Sequence, residues 1–163
     1  MGEHHPALTP AEAQALAERA AASMYERDGA SRGLGIRIAK VGPGHAELTM
    51  TVRADMLNGH AICHGGFIFT LADSAFAFAC NSYNLSTVAS GCAIDFIAPA
   101  REGDVLTAIG QERSSSGRTG VYDIEVFNQR GERIAVFRGR SHTMKGKPLV
   151  EGLPIGKHAS KPR

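Results

Sequence analysis

Between Phe67 and Cys80 the chain is almost without interruption apolar or small, FIFTLADSAFAFAC. That is too continuous for an amphipathic surface helix and predicts a helix buried on all sides. Upstream, Ala13, Leu16, Ala17, Ala20 and Met24 recur at helical spacing. They follow Thr9-Pro10-Ala11-Glu12, which has the capping-box form with proline at the first helical position, so a helix is expected to run to about Arg27 before Gly29. Residues 34–41 and 45–53 flank Gly42-Pro43-Gly44 and read as two strands joined by a tight turn. The second alternates, with Ala46, Leu48, Met50 and Val52 set against Glu47, Thr49, Thr51 and Arg53. Beyond the apolar helix, residues 87–98, 104–114, 120–128 and 133–143 are β-rich runs separated by turn-like segments. The order is helix, two strands, apolar helix, four strands. One long apolar helix followed by consecutive antiparallel strands hides its surface only if the sheet curls around it, which is an α+β layout. Residues 1–30 are read as a helical arm and 31–143 as the main domain. Residues 144–163, rich in Lys, Gly and Pro, are read as a mobile tail.

Composition narrows the class. At 163 residues the chain suffices for one domain with a full core, and 43% hydrophobic with 21% charged residues is the balance of a soluble globular protein. No apolar run reaches the roughly 20 residues of a membrane span, so no membrane partner is expected. MGEHHPALTP has no basic segment followed by an apolar one, so no secretory signal is evident and a cytoplasmic location is expected. A net charge of +2 gives no reason to expect nucleic acid, although a local basic surface suits a phosphorylated ligand. Cys63, Cys80 and Cys92 are odd in number and widely spaced, as reduced thiols are.

The candidate chemistry sits on the apolar helix. Asp73 has Phe69, Thr70, Phe76 and Ala77 at three and four positions, so no cation within the helix pairs with it. A carboxylate in an apolar wall has its pKa raised by desolvation and suits a general base or nucleophile; the competing reading is a structural acid. His64-Gly65-Gly66 precedes the helix where the first N–H groups are free and the dipole is positive, an arrangement that accepts an oxyanion or phosphate, or is simply a helix-entry turn. Gly65 and Asp73 are eight residues apart, roughly 12 Å along a helix axis, too far for both to touch one carbonyl. If both act on it, they come from different chains, which points to a twofold dimer with antiparallel helices side by side. His60, Cys63 and His64 lack the usual structural zinc spacing, and no metal is expected. A Cys63 thiolate near the helix start is a second nucleophile reading. The G-x-S-x-G elbow of serine hydrolases is absent. Arg113, Arg118, Arg138, Arg140 and Lys145, on or near the late strands, are either a solvated face or a phosphate site.

With Asn58-Gly59-His60-x-x-Cys63-His64-Gly65-Gly66 followed by Thr70-Leu71-Ala72-Asp73, the chain resembles the hotdog-fold acyl-CoA thioesterases, most closely the phenylacetic-acid-degradation type. The likeness covers residues 22–143 and continues through Ala79-Cys80-Asn81-Ser82, Cys92-Ala93-Ile94-Asp95-Phe96 and Thr119-Gly120-Val121-Tyr122-Asp123-Ile124-Glu125. It implies a long helix wrapped by an antiparallel sheet, and dimers with a shared sheet, commonly paired into homotetramers; the active sites shared between chains are the expectation from helix geometry above. It implies hydrolysis of phenylacetyl- or hydroxyphenylacetyl-CoA in phenylacetate catabolism, with no cofactor beyond the coenzyme A of the substrate. By the same resemblance Asp73 is the general base or nucleophile and Gly65 the oxyanion N–H, beside Gly66. Asn58 and His64 are supporting polar groups. Relatives place a Ser or Thr on the next strand to hold water; here that position falls near Ala89 or Ser90, and Ser90 is the nearest match. The acyl pocket is expected near Phe67, Phe69 or Phe76. Two rival readings are a hotdog hydratase or dehydratase, which needs a His–acid pair, and a non-catalytic acyl-CoA sensor. The presence of Asp73 and the lack of an added DNA-binding segment speak against the sensor.

Overall fold

The structure, a computed structural model, describes residues 7–156. The extreme N-terminal residues used for the secretory-signal reading, and the last part of the segment read as a tail, lie outside that range. Helix α1, Pro10–Arg27, starts at the expected cap: Thr9 Oγ1 accepts from Glu12 N at 3.2 Å and Thr9 N donates to Glu12 Oε2 at 2.7 Å. Its buried face, Leu16, Ala17, Ala20 and Ala21, packs on strand β1, Arg37–Gly42, and Tyr25 Oη donates to Ile36 O at 2.7 Å. Between them lies a helix α2, Gly29–Gly33, that periodicity does not reveal because five residues hold no repeat. Asp28 caps it, accepting from Ser31 N at 2.9 Å, and β1 therefore begins three residues later than expected.

Six strands form one antiparallel sheet in the order β1-β2-β4-β5-β6-β3, with β2 at His45–Thr51, β3 at Leu85–Phe96, β4 at Val105–Ser116, β5 at Thr119–Phe127 and β6 at Arg133–Pro148. The sheet wraps helix α3, Gly65–Cys80, which packs against all six strands. Alternation does what the sequence pattern requires: Ala46, Leu48 and Met50 of β2 and Tyr122, Ile124 and Val126 of β5 turn inward. Phe76 is 1% exposed, with ring centroids 5.4 Å from Tyr122 and 6.0 Å from Phe137. Full burial of such a side chain contributes about 1.5–3 kcal/mol. It fits only because Gly139 of β6 lies over it, where a Cβ would come within 2.8 Å of three ring atoms.

Two expectations are corrected here. Helix α3 is not buried on all sides within one chain. Ile68, Leu71, Ala72, Ala75, Phe76 and Ala79 face the sheet, while Gly66, Phe67, Thr70, Asp73, Ser74 and Ala77 form a partly exposed stripe at i, i+3, i+4 spacing. The last strand does not stop at Thr143 but continues to Pro148, and the following segment is tied to Asn84. That residue is fully buried with φ +58; Val150 N donates to its Oδ1 at 2.8 Å, and its Nδ2 donates to the carbonyls of Val150, Leu153 and Pro154.

Candidate active site

The site begins in the loop that delivers the chain to α3. Asn58 Oδ1 accepts from His60 N at 2.9 Å and from Ile62 N at 3.4 Å, while Asn58 N donates to Ile62 O, folding a compact turn with Ala61 at φ +56. Backbone bonds from Cys63 N to Ala100 O and from His64 N to Met56 O fix the exit of that turn. His64 is then the N-cap of α3. Its Nδ1 accepts from Gly66 N at 2.9 Å, so the neutral ring carries its proton on Nε2. The two glycines are thereby distinguished. Gly66 has its N–H engaged by His64, whereas the Gly65 N–H has no acceptor among the described residues, which corrects the expectation of a pair of free donors. Gly65 is also shielded: a Cβ there would lie 2.7 Å from Cζ of Phe96, so glycine lets that ring close over the start of the helix.

Asp73 is two turns further along the same helix, on the partly exposed stripe. Because α3 is continuous from Gly65 to Cys80, the separation of about 12 Å follows from helical rise. The carboxylate is half-buried and no Lys, Arg or His of the described residues pairs with it; burial raises its pKa. Its one side-chain partner among the described residues comes from β3: Cys92 Sγ donates to Asp73 Oδ1 at 3.9 Å. The resemblance puts a hydroxyl in that region, near Ala89 or Ser90, with Ser90 the nearest match. Ser90 instead lies at a bulge between Ala89 and Gly91, is exposed, and donates to Arg140 O at 3.1 Å.

Cys63 does not have the properties of an activated thiolate. It is 4% exposed, burial pushes its thiol up to about 11, and Sγ donates to His64 O. A cavity of about 430 Å³ opens beside the start of α3, lined by Leu34, His64, Gly66, Phe67 and Thr70. Of the three aromatic residues expected to shape an acyl pocket only Phe67 lines it, its ring edge-on to His64 at 6.3 Å. Phe69 is packed on Phe137 at 5.3 Å and Phe76 is core.

The fold that carries these residues, a curled antiparallel sheet around one long helix, is shared with known proteins. The profile of the thioesterase superfamily matches residues 60–135, which contain Gly65, Asp73 and Cys92. Acyl-coenzyme A thioesterase PaaI of Escherichia coli is 54% identical over 124 residues, 76% of this chain and 89% of that protein. The solved structure of E. coli PaaI, from the phenylacetic acid degradation operon, superimposes with a TM-score of 0.81 at 51% identity, covering 82% of this chain and 97% of that one. A protein from Streptococcus pneumoniae described as a hypothetical thioesterase and solved with coenzyme A superimposes with a TM-score of 0.66 at 27% identity, covering 69% of this chain and 88% of that one. The chain belongs to the thioesterase superfamily. It has the hotdog fold and is a thioester hydrolase.

The cations of this thioesterase separate into two sets. Arg138 holds Asp123 through Nε and Nη2 at 2.6 and 2.8 Å, and Arg113 Nε reaches the same carboxylate at 3.1 Å, which keeps Asp123 below the usual carboxylate range. Arg118, Arg140 and Lys145 form no ion pair among the described residues. The Arg140 guanidinium lies over Gly91, where a Cβ would meet it at 2.8 Å, and Arg118 occupies the β4–β5 turn, its carbonyl accepting from Thr143 N. Among the described residues of this thioesterase no helix is long and apolar enough to cross a membrane.

Proposed function

We propose that this thioesterase hydrolyses phenylacetyl-CoA or hydroxyphenylacetyl-CoA thioesters to the free acid and coenzyme A, in the cytoplasm, as part of phenylacetate breakdown. The observation that carries the reading is the pair on α3: a half-buried, cation-free Asp73 and a Gly65 N–H with no acceptor. The N–H, at the positive end of the helix, polarises the thioester carbonyl and stabilises the oxyanion as it forms. On one route Asp73 removes a proton from water as the water oxygen bonds to the carbonyl carbon. The C–S bond then breaks and the proton passes to the departing thiolate. On the other route the carboxylate itself attacks, coenzyme A leaves, and water cleaves the resulting anhydride. Asn58 and His64 support the substrate from the loop before the helix, His64 through its Nε2–H.

The acyl preference rests on the cavity beside His64, whose Leu34 and Phe67 walls suit an aromatic group and whose volume is in the range of small-ligand sites. Relatives support the wider reading: the E. coli protein bears the name acyl-coenzyme A thioesterase, and the S. pneumoniae protein was solved with coenzyme A. For the phosphates of coenzyme A, Arg118, Arg140 and Lys145 are better placed than Arg113 and Arg138, which are already committed to Asp123. No cofactor enters this scheme. The assembly is a homodimer sharing its active sites, paired further into a tetramer. The first test is release of free thiol from phenylacetyl-CoA, with palmitoyl-CoA as comparison. Equal kcat/KM for the two would refute the arylacetyl preference, and no thiol release from any acyl-CoA would refute the activity. Single-turnover hydrolysis in ¹⁸O-labelled water separates the routes, because only the anhydride route places label in Asp73.

A further inference from the structure

Asp73 needs a fixed orientation if one of its oxygens is to face the reacting water or thioester, and nothing on its own helix supplies one: its neighbours at three and four positions are Phe69, Thr70, Phe76 and Ala77. The Thr70 hydroxyl is turned away, donating to Gly66 O at 2.9 Å. Support comes from β3. Cys92 is paired with Gly139, Ile94 with Phe137 and Phe96 with Ala135, and all three partners are buried residues of the inner face of β6. Cys92, Ile94 and Phe96 therefore share the inward row of β3, which places the thiol against Asp73 at one end and the Phe96 ring against Gly65 at the other. The bulge at Ser90 sets this register and sends the nearest hydroxyl to Arg140 O instead.

Building on the catalytic role proposed above for Asp73, we propose that Cys92 is its positioning residue: the thiol, presented by the inner row of β3, holds Oδ1 and leaves Oδ2 for the reaction. A thiol is a weaker donor than a hydroxyl. It orients the carboxylate with little loss of basicity, whereas a short O–H···O⁻ bond would stabilise the charged form strongly and blunt the base. The groups around the pair are few. Cys80, further along α3, feels the charge of Asp73 and of Glu112 from β4. Arg140 from β6 acts on Cys92 but is not among the groups that shift Asp73. From α2, Ser31 meets Ser74 at 3.2 Å, and Ser31 carries Asp28 as its own partner. Cys92 is thus the one described side chain whose hydrogen bond favours the ionised Asp73.

The test is the pH dependence of kcat/KM for phenylacetyl-CoA, measured on the full chain as wild type, Cys92→Ala and Cys92→Ser, with thermal unfolding of each. In Cys92→Ala the carboxylate loses its donor, the charged form is less favoured, and the acidic limb moves up by about half a pH unit or more. In Cys92→Ser a stronger donor replaces the thiol, so the limb moves below the wild-type position and the plateau rate falls. A merely structural cysteine would change unfolding temperature and plateau in both variants while leaving the limb in place. An unmoved limb, or the same direction of movement in both variants, overturns the proposal. If Cys92→Ala does not fold, Cys92→Ser decides alone: a limb at or above the wild-type position refutes it. Asp73→Asn separates the two levels. Wild-type turnover in that variant removes the catalytic reading itself, whereas an inactive Asp73→Asn with unmoved Cys92 limbs removes only the role of Cys92.

Discussion

The catalytic role proposed for Asp73 comes with a cost to the fold, and both can be measured. Burial holds its folded-state pKa above the unfolded value. For an acid this means that there is no penalty at low pH, that the penalty builds up as pH rises from the unfolded pKa, and that it is complete above the folded pKa. Asp73→Asn is therefore expected to be at least as thermally stable as wild type at neutral pH. That difference should vanish near pH 3, roughly one unit below the ordinary Asp value. The same substitution removes the base while nearly preserving shape, so turnover should drop by at least about 100-fold, the lower end for general base catalysis. An Asp73→Asn protein that is folded and active, or one clearly destabilised at neutral pH, would count against a strained catalytic carboxylate. Cys63→Ala should leave activity largely intact, since its buried thiol, raised to about 11, is almost wholly protonated at neutral pH. Total loss of activity in a folded Cys63→Ala protein would bring back the thiolate.

At the scale of elements, the glycine in the last strand makes the central helix fit. Gly139→Ala places a methyl group 2.8 Å from three atoms of the Phe76 ring, which Tyr122 and Phe137 confine on two sides. Overpacking of this kind costs about 1–3 kcal/mol. Chemical denaturation should show that loss, and Phe76→Leu in the same chain should recover part of it; two additive losses would mean that the clash is not the cause. What could be read from the sequence follows the range of the forces involved. The capped α1, the alternating β2 and the apolar α3 are each set by local periodicity and appeared close to their true bounds. Helix α2 is too short for a period, and the tie from Asn84 to residues 150–154 spans some seventy positions, so neither leaves a local pattern. The acid and the glycine N–H were legible because they share one helix. The partner of the acid was not, because a single bulge at Ser90 shifts which residues of β3 face inward.

The whole molecule leaves one face unfinished. Strand β3 ends the sheet; its Val88 and Phe96, and Ile97 just beyond it, are 51%, 53% and 58% exposed, and the Phe96 ring, though turned toward the start of α3, is covered on one side only, by Gly65. A twelve-residue edge strand with apolar side chains invites pairing with another copy. Coenzyme A phosphates held by Arg118, Arg140 and Lys145 would be screened by salt, so KM for acyl-CoA should rise with ionic strength more than kcat falls; a salt-independent KM would exclude these surface cations. The sharing of sites between chains has a more direct test. Take two inactive variants, Asp73→Asn and Gly65→Pro; the second removes the N–H at the first position of α3, where a proline backbone fits once the half-exposed Phe96 ring, 2.7 Å from a Cβ at that position, swings aside. If each site joins Gly65 of one chain to Asp73 of the other, a mixed dimer collects both defects in one site and neither in the second. Co-expressed with different tags and purified for both, the hybrid should regain about half the activity of a wild-type dimer, as two independent sites related by a twofold axis require. If both groups serve the same site within one chain, every site carries one defect. A verified hybrid as inactive as its folded parents would refute shared sites, and the separation of about 12 Å along α3 would then forbid Gly65 and Asp73 from acting on one carbonyl at all.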